Sequence, residues 1–293
     1  MHAPPSSLRS IALLVGASIS FALLDSIAKH LSQTHNPMLV AWARYVFHVA
    51  VMAAVYLPRM GRTLVRTRRP MLQCLRGACL GISSVCFFSG VALMPQAEAT
   101  AIMSIAPILV TVGAVLWLGE RAPRGTWWSL AASFAGVLLI VRPGGALFGW
   151  PALLPLGAAV FVMGYQLLTR MLTGVDNGLA TLFIGALVAA ALLTVLAPAR
   201  WQMPHDGVQA ALFVLTGVVG AFGHLLLVRA YEHGSAAALA PFSYTHPAAA
   251  VVFGLLFFGQ FPDAVSMAGI ALIVVTGVVM AASGRLPARP IEE

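Results

Sequence analysis

The second half of the chain repeats landmarks of the first half at a constant offset of about 140 residues. Each half contains five apolar stretches. Because five is an odd number, two such halves enter a membrane in opposite orientations, which makes them an inverted repeat. The matched pairs are Phe21 and Phe161, Pro58 and Pro198, Gly77 and Gly217, Pro107 and Pro247, Gly119 and Gly259, and Gly144 and Gly284.

The composition places these stretches in lipid. Hydrophobic residues make up 60% of the chain and charged residues 9%, whereas a soluble domain carries about 25% charged residues. The stretches are continuous and long enough for helices, while barrel strands are shorter and alternate. The sequence therefore predicts an all-α integral membrane protein, with ten transmembrane helices in two inverted five-helix repeats around a central cavity. The predicted spans are 10–31, 38–57, 72–93, 97–118, 125–142, 150–171, 178–197, 208–230, 235–258 and 264–282.

The seam between the halves is the run Arg142–Pro143–Gly144–Gly145, which follows the fifth span. We therefore expect a first repeat over residues 1–145 and a second, inverted repeat over 146–284. The polar, proline-containing remainder, 285–293, is predicted to be a disordered cytoplasmic tail.

Positive charge is distributed asymmetrically between the loops. Five arginines lie between spans two and three, and others follow spans four, six, eight and ten, whereas the opposite side has only Lys29, Arg142 and Arg200. Cytoplasmic loops carry the excess of Lys and Arg, so both termini are expected in the cytoplasm and the protein in a bacterial-type inner membrane. The net charge of +8 is thus a topology signal, not a nucleic-acid surface. Contact of the five-arginine loop with anionic lipid is the alternative role.

Small residues recur four apart on two matched spans. Gly77 with Gly81 lies on span three, and Gly217 with Ala221 lies on span eight. This spacing lets helix backbones approach closely. Spans three and eight are therefore predicted to lie inside the bundle.

Paired prolines interrupt spans four and nine. Pro107 and Pro247 each remove the hydrogen bond to the carbonyl four residues back, and freed backbone at membrane depth is tolerated where it lines a cavity. Span nine adds Ser243, Tyr244 and His246 in the most polar mid-span segment of the chain. We expect a substrate-lining kink. A packing kink capped by hydroxyl side chains is the alternative.

Ionisable residues inside the spans suggest what the cavity holds. A charge at membrane depth costs about 3 kcal/mol on insertion scales and usually faces the bundle interior. Asp25, Arg44 and Glu98 would supply an acid, a base and a second acid near one end of the cavity, which suits a zwitterion. In the alternative reading, Asp25 pairs with Lys29 and Glu98 pairs with Arg44 as structural contacts.

Two histidines, His224 and His246, lie near the middle of their spans. Histidine is a plausible proton carrier, although a neutral hydrogen-bonding role is the commoner one. Tyr165 and Gln166 on span six match Asp25 and Ser26 through the repeat, and they are candidate hydrogen-bond donors to a ligand. Trp42 offers an apolar wall or a cation–π face. Ordinary helix packing is the alternative for these last three residues.

Catalytic signatures are absent from the sequence. It has no GxSxG, HExxH or phosphate-loop motif, and its histidines and three cysteines lack metal-ligand spacing. We expect no enzyme activity, no cofactor and no metal site.

Together these residues resemble the drug/metabolite transporter superfamily, specifically its ten-span EamA family. In that family, two EamA repeats surround a cavity through which small metabolites pass, often outward. One departure is Gln260, which stands where the first repeat has Glu120. The resemblance is carried by Phe21–Asp25–Lys29, by Pro37 and Arg44, by Pro107 with Gly119–Glu120–Arg121, by Arg229–Ala230–Tyr231, and by Pro241–Phe242–Ser243–Tyr244–Thr245 with Pro247.

The expected function is a permease, an exporter by resemblance, that moves a small amino-acid-like or zwitterionic metabolite by alternating access. Proton coupling and the choice between monomer and homodimer stay open. A non-transporting membrane scaffold or regulatory subunit is the alternative, and an intramembrane enzyme is a more distant one. The candidate substrate-binding residues are Asp25, Trp42, Arg44, Glu98, Ser104, Pro107, Tyr165, Gln166, His224, Ser243, Tyr244, His246 and Pro247.

Overall fold

The described part of the protein is built from helices. The structure is a computed structural model, and it describes residues 8–119, 124–142, 149–172, 174–196, 201–233 and 239–283. The seam at 143–148, the Glu120–Arg121 motif and the tail 285–293 lie outside the described residues. The helices are α1 (Leu8–Leu31), α2 (Pro37–Met60), α3 (Pro70–Leu93), α4 (Gln96–Met103), α5 (Ala106–Leu118), α6 (Arg124–Val141), α7 (Leu153–Leu172), α8 (Gly178–Leu196), α9 (Gly207–His233), α10 (Thr245–Phe258) and α11 (Ala264–Ser283), with 3₁₀ segments at Gly61–Val65, Trp150–Ala152 and Ala240–Tyr244.

Polar side chains in the loops set several helix starts. The Asn36 side chain accepts a hydrogen bond from the Met38 amide at 2.9 Å, and Pro37 occupies the first turn of α2. Asn177 and Asp263 cap α8 and α11 in the same manner. Such caps satisfy amides that have no partner inside the helix.

A helix lies within each of the ten predicted spans, and the described helix ends agree with the prediction within a few residues, while the predicted start of span nine at 235 lies outside the described residues. Seven helical segments among the described residues are long and apolar enough to cross a membrane. Spans five, nine and ten appear as shorter apolar helices over 131–141, 242–258 and 264–279. The chain is therefore a multi-pass membrane protein.

The two proline-containing spans are broken rather than bent. Span four ends as α4 at Met103 and restarts as α5 at Ala106, and Pro107 lies in the first turn of the new helix. In the described part of span nine a 3₁₀ segment precedes α10, and Pro247 lies in the first turn of α10. A proline costs little in a first turn, because the amide that it lacks has no partner there. The expected kink is thus a break, with Pro107 exposed and Pro247 buried.

The repeat extends to the ends of these helices. Gly119 closes α5 and Gly259 closes α10, with φ values of 65° and 61°. This left-handed conformation is costly for residues with a Cβ, which explains a glycine at both matched positions.

The packing of one half has a counterpart in the other. α1 packs on α9, and α3 packs on α7. α2 also contacts α9, as α8 contacts α3. Helices α2 and α8 contact each other, and so do α6 and α11. Exchanging the predicted repeats leaves this set of contacts unchanged.

Matched glycines allow the closest approaches between the halves. A Cβ on Gly77 would lie 2.5 Å from the Val188 Cβ on α8, and one on Gly217 would lie 2.3 Å from the Phe47 Cβ on α2. Neither distance is sterically possible, so only glycine permits these crossings. The small-residue spacing on spans three and eight thus allows close approaches as predicted, of span three to α8 and of span eight to α2.

Two polar contacts tie loops together at the helix ends. At one, the Asp176 carboxylate accepts hydrogen bonds from the Thr67 hydroxyl at 2.5 Å, the Arg68 amide at 2.9 Å and the Gln73 amide group at 3.0 Å. At the other, Arg142 forms an ion pair with Asp263. The contacts lie between different pairs of loops, since Asp176 follows α7 and Asp263 precedes α11.

Both carboxylates are held ionised by their donors. Partial desolvation opposes ionisation of Asp176, but its three hydrogen bonds outweigh this effect and lower its pKa. The hydrogen bond from Arg142, followed by the Ser266 amide, lowers the pKa of Asp263 well below its usual range.

We expect Gly77→Ala and Gly217→Ala to destabilise the protein by about 1–3 kcal/mol each, because an added methyl group has no room at either crossing. Thermal unfolding in detergent measures this loss. Gly157→Ala on α7 is the matched control, since a Cβ there meets nothing within 4 Å. Equal melting temperatures for all three variants would show that the crossings are looser than described.

The Asp176 contact should make stability depend on pH. A carboxylate with a lowered pKa stabilises the fold above its ordinary pKa of about 3.9, and that stabilisation disappears as the pH falls through the lowered value. The melting temperature in detergent should therefore drop in this acidic range. The drop should be smaller in Asp176→Asn, and Thr67→Val should change it in the same direction. Identical pH profiles in all three proteins would contradict this.

Candidate functional site

A buried acid–imidazole contact joins the two halves of the chain. The His246 Nε2 lies 2.9 Å from the Asp25 Oδ2, and Asp25 is 6% exposed. Asp25 belongs to α1, and His246 is the second residue of α10, directly after the break in span nine. The break therefore places a polar side chain against the acid of the opposite half.

A phenylalanine and two more histidines lie next to this contact. The Phe21 ring lies 6.5 Å from the His246 ring and 4.9 Å from the His224 ring, both edge-on. The His224 ring lies 5.5 Å from that of His48 on α2. Three helices thus bring three imidazoles into one chain of ring contacts, in which Phe21 lies between His246 and His224, and His224 lies between Phe21 and His48.

Arg44 completes the cluster from α2. Its Nη1 donates to the Ser84 hydroxyl at 2.9 Å, and its guanidinium lies over the rings of Tyr45 and Phe88 at 5.1 and 5.6 Å. The Tyr45 hydroxyl holds Ser84 in turn at 2.6 Å. Neutral groups and aromatic faces therefore position this cation.

Arg76 on α3 is a second buried cation, 2% exposed. Its Nε donates to the Thr169 hydroxyl at 2.7 Å, its Nη1 to the Thr181 carbonyl at 2.8 Å and its Nη2 to the Tyr165 hydroxyl at 2.8 Å. The guanidinium also lies 4.4 Å from the centre of the Tyr165 ring. Tyr165 is thus brought to the cluster through Arg76.

A separate polar group lies farther along α1. Lys29 donates to the Met94 carbonyl at 2.8 Å and lies 5.2 Å from the centre of the Phe258 ring. Ser26 donates to the Gln96 side chain at 2.8 Å, and Glu98 is buried on the same short helix as Gln96. This group holds α4 against α1.

The charge pairs considered from sequence are different in the structure. Asp25 contacts His246 rather than Lys29, and Arg44 contacts Ser84 rather than Glu98. The i, i+4 spacing alone suggested the pair of Asp25 with Lys29. His246, which the break in span nine places against Asp25, lies closer. The roles of these residues in substrate binding stay predictions.

The remaining candidates lie outside this cluster or at its edge. The Trp42 indole donates to the Thr194 hydroxyl at 2.9 Å and stacks edge-on with Trp201. Ser104 donates to the Thr100 carbonyl at the break in span four. The Tyr244 ring packs toward Gly277 on α11, where an added Cβ would overlap its hydroxyl. Gln166 and Ser243 are partly buried, on α7 and in the 3₁₀ segment before α10.

The sequence did not single out Arg76 or His48 as site residues. By sequence Arg76 resembles the loop arginines that set orientation, although it lies four residues inside span three, and Ser83 and Ser84 follow two turns later. His48 lies one turn after Arg44 on span two, a spacing that does not by itself indicate a site. The signal in the sequence that could have indicated Arg76 was a polar stripe on span three, which continues with Ser83 and Ser84.

Several buried polar atoms of the cluster and of α4 have no hydrogen-bond partner among the described residues. They are the Arg44 Nε, both ring nitrogens of His48, the His224 Nε2, the Glu98 Oε2 and the Thr100 hydroxyl. Buried polar atoms are normally satisfied, so these atoms have hydrogen-bonding capacity that the protein itself does not use.

Two of the cavities in the described part of the chain lie to the side of the cluster. One, of about 340 Å³, lies between α1, α9 and α10, and Ser26 is among its lining residues. The other, of about 330 Å³, lies beside Trp117 and α7. In the cluster itself, Asp25, His48 and Arg76 are 6%, 1% and 2% exposed, so these side chains are closed off from solvent.

Comparison with known proteins finds one family model over both halves of the chain and transporters that are similar over most of its length. The sequence model of the EamA-like transporter family matches twice, over residues 8–142 and 149–282. The riboflavin transporter of Rhizobium johnstonii is 31% identical over 266 residues, which cover 89% of this chain and 87% of that protein. The pseudopaline exporter CntI of Pseudomonas aeruginosa is 29% identical over 271 residues, which cover 92% and 95%.

More distant proteins extend the comparison. The S-adenosylmethionine uptake transporter of Rickettsia conorii is 25% identical over 258 residues, covering 88% of this chain and 87% of that protein. A solved crystal structure with 22% identity has the same fold, with a TM-score of 0.65 over 95% of this chain and 99% of its own.

The Asp25–His246 contact should show a measurable coupling energy. Double-mutant cycles across hydrogen bonds in a membrane protein average about 0.6 kcal/mol and reach about 1.7 kcal/mol. We expect a value in this range from the unfolding of Asp25→Ala, His246→Ala and the double variant. Asp25→Ala combined with Thr111→Ala is the control and should be additive. Additivity in both cycles would mean that the contact is not formed.

Proposed function

This chain belongs to the EamA-like transporter family, and on that premise we propose that it exports a small, zwitterionic, amino-acid-like metabolite by alternating access. The chain is a small-molecule transporter and not an enzyme, like the family members that it matches. The direction, the substrate class and the mechanism are our proposal.

The buried Asp25–His246 contact is the observation that carries the proposal. It joins an intact helix of one half to the broken helix of the other. A break leaves an ionisable side chain at the end of a short helix, where a small movement separates it from its partner. Because buried polar groups cost free energy when unpaired, separation of this pair requires a replacement, which a substrate of complementary charge can provide.

The symmetric packing supports alternating access. Contacts between helices of the two halves are unchanged when residues 1–145 and 146–284 are exchanged, as inverted repeats require. We propose that rocking of one repeat against the other opens the closed cluster to alternate sides. The Asp176 and Arg142–Asp263 contacts, which join loops, are positioned to hold the two closed ends.

A zwitterionic substrate fits the charges of the site. The acids Asp25 and Glu98 and the cations Arg44 and Arg76 are all largely buried and come from four different helices. A substrate carrying one charge of each sign crosses such a site without leaving a net charge in lipid.

The loop arginines support the orientation. We propose that the protein lies in the bacterial inner membrane with both termini in the cytoplasm, since the loop between α2 and α3 contains Arg62, Arg66, Arg68 and Arg69. Outward movement then begins from the face that carries this loop.

Reconstituted vesicles test the proposal. Vesicles that contain only this protein should show saturable counterflow of one or more metabolites from a panel of amino acids, nucleosides, vitamins and osmolytes. Absence of counterflow across the panel would instead favour a scaffold without transport of its own. Flux confined to vitamins or nucleosides would reject the amino-acid-like class while keeping transport.

A variant ties the flux to the site. Asp25→Asn should lower transport at least tenfold, because the neutral amide lacks the charge with which Asp25 would release His246 and pair with the substrate instead. Protein yield and melting temperature should change little, since the amide oxygen still accepts the hydrogen bond. Thr111→Ala on α5 is the control. Wild-type flux in Asp25→Asn would remove Asp25 from the transport mechanism.

A further inference from the structure

Four cationic or potentially cationic side chains meet between α2, α3 and α9. We define Arg44, His48, Arg76 and His224 as the cationic centre. We propose that the cationic centre binds the carboxylate group of the transported metabolite, with Arg44 as its direct ligand. This inference rests on the proposed function and identifies which part of the substrate is recognised, and where.

The charge balance of the cationic centre calls for an anion. Among the described residues, no carboxylate oxygen lies within 4.0 Å of Arg44 or Arg76. Their hydrogen-bond acceptors are hydroxyl groups and one carbonyl. His224 lies within electrostatic range of both guanidiniums and of His48. Two fixed positive charges therefore lie in the membrane interior without a counter-charge, which is costly until an anion enters.

Unsatisfied donors show where the anion would bind. Each nitrogen of Arg76 already donates to a neutral acceptor, so Arg76 contributes charge and its guanidinium is held in place. Among the described residues the Arg44 Nε has no partner, and neither ring nitrogen of His48 has one although His48 is 1% exposed. The His224 Nε2 is also unpartnered. The buried nitrogens without a partner thus lie on the Arg44 side of the centre.

Gly220 on α9 leaves the space in front of these donors. A Cβ at this position would lie 3.7 Å from the Arg44 Nε and 3.8 Å from the His48 Nδ1. These are ordinary van der Waals distances, so an added methyl group fits the closed structure. It would occupy the place from which both nitrogens are reached.

The donor set favours a carboxylate over a phosphate. One guanidinium edge with neighbouring imidazoles matches a planar anion of single charge, whereas all three nitrogens of the second arginine are already held by neutral acceptors. The Phe21 ring contacts both His224 and His246, so the Asp25–His246 pair lies just beyond it. The Asp25 carboxylate is therefore placed to bind the ammonium group of the metabolite whose carboxylate Arg44 holds.

Ligand-induced thermal stabilisation of the full-length protein in detergent tests this assignment. The probes are the L-amino acids, each paired with its carboxamide, together with sodium acetate and inorganic phosphate at constant ionic strength. We expect one or more amino acids to raise the melting temperature and their carboxamides to fail. Gly220→Ala and Arg44→Gln should raise the half-saturating concentration about tenfold or more, since a charge-assisted hydrogen bond is lost.

Two controls separate binding from folding. Gly207→Ala on the same helix adds a methyl group in open space and should bind as the wild type does. Arg44→Lys keeps the charge without the Nε and should recover only part of the affinity. Equal stabilisation by acids and carboxamides, stabilisation by phosphate alone, or unchanged affinity in both Gly220→Ala and Arg44→Gln would overturn the assignment.

Counterflow in vesicles distinguishes this inference from the proposed function. If vesicles transport amino acids but Gly220→Ala and Arg44→Gln leave flux and half-saturation unchanged, the carboxylate site is wrong and transport stands. If the wild-type protein moves no metabolite of the panel, the proposed function fails, and this inference fails with it.

Discussion

Unpaired positive charge in the membrane interior is the constraint on which the polar centre depends. Each arginine at this depth costs about 2.5–3.5 kcal/mol on insertion scales. The fold offsets part of this cost with neutral acceptors and aromatic faces: Tyr165 both accepts from Arg76 and lies beneath its guanidinium, and Tyr45 and Phe88 flank Arg44. These groups stabilise the cations without neutralising them. On our proposal this uncompensated charge attracts the carboxylate of the substrate, and an internal carboxylate-to-arginine ion pair would have removed that attraction.

Close helix crossings make this arrangement rigid enough to position single atoms. Gly77 and Gly217 bring α3 to α8 and α2 to α9, and these are the same helices that present Arg76, Arg44 and His224. A lipid-facing bundle gains nothing from the hydrophobic effect between its helices, so close packing at small residues is its main source of specificity. On α3 Arg76 directly precedes the crossing residue Gly77, and on α9 His224 lies two turns after Gly217. The crossings that fix the scaffold thus also fix the site.

Helix positions followed from the sequence because apolar run length and loop punctuation are local signals. Ten spans were predicted and helices lie at all ten, and the glycine crossings followed from small-residue spacing. The break at Pro107 was predicted only as a bend, since sequence does not show whether a helix restarts. Contacts between distant residues were not predictable: Asp25 to His246 spans 221 positions, and no spacing rule reaches so far. Arg76 was not predicted as a site residue, because an arginine near a helix end has the same sequence neighbourhood whether it points to water or into the bundle.

In the mechanism that we propose, the closed centre and the broken helices act together. A continuous helix transmits any displacement along its whole length, whereas a break would let α4 and α5, or the 3₁₀ segment and α10, move separately. His246 lies at such a junction, and Asp25 opposite it lies on the unbroken α1. The unbroken helices α2, α3 and α9 carry the cationic centre. On this proposal the Asp25–His246 contact rearranges during transport, while the cations stay fixed. A zwitterion held at its carboxylate end by Arg44 would open the Asp25–His246 pair with its ammonium group. Binding at the cationic centre would thereby be linked to movement at the broken helix that carries His246.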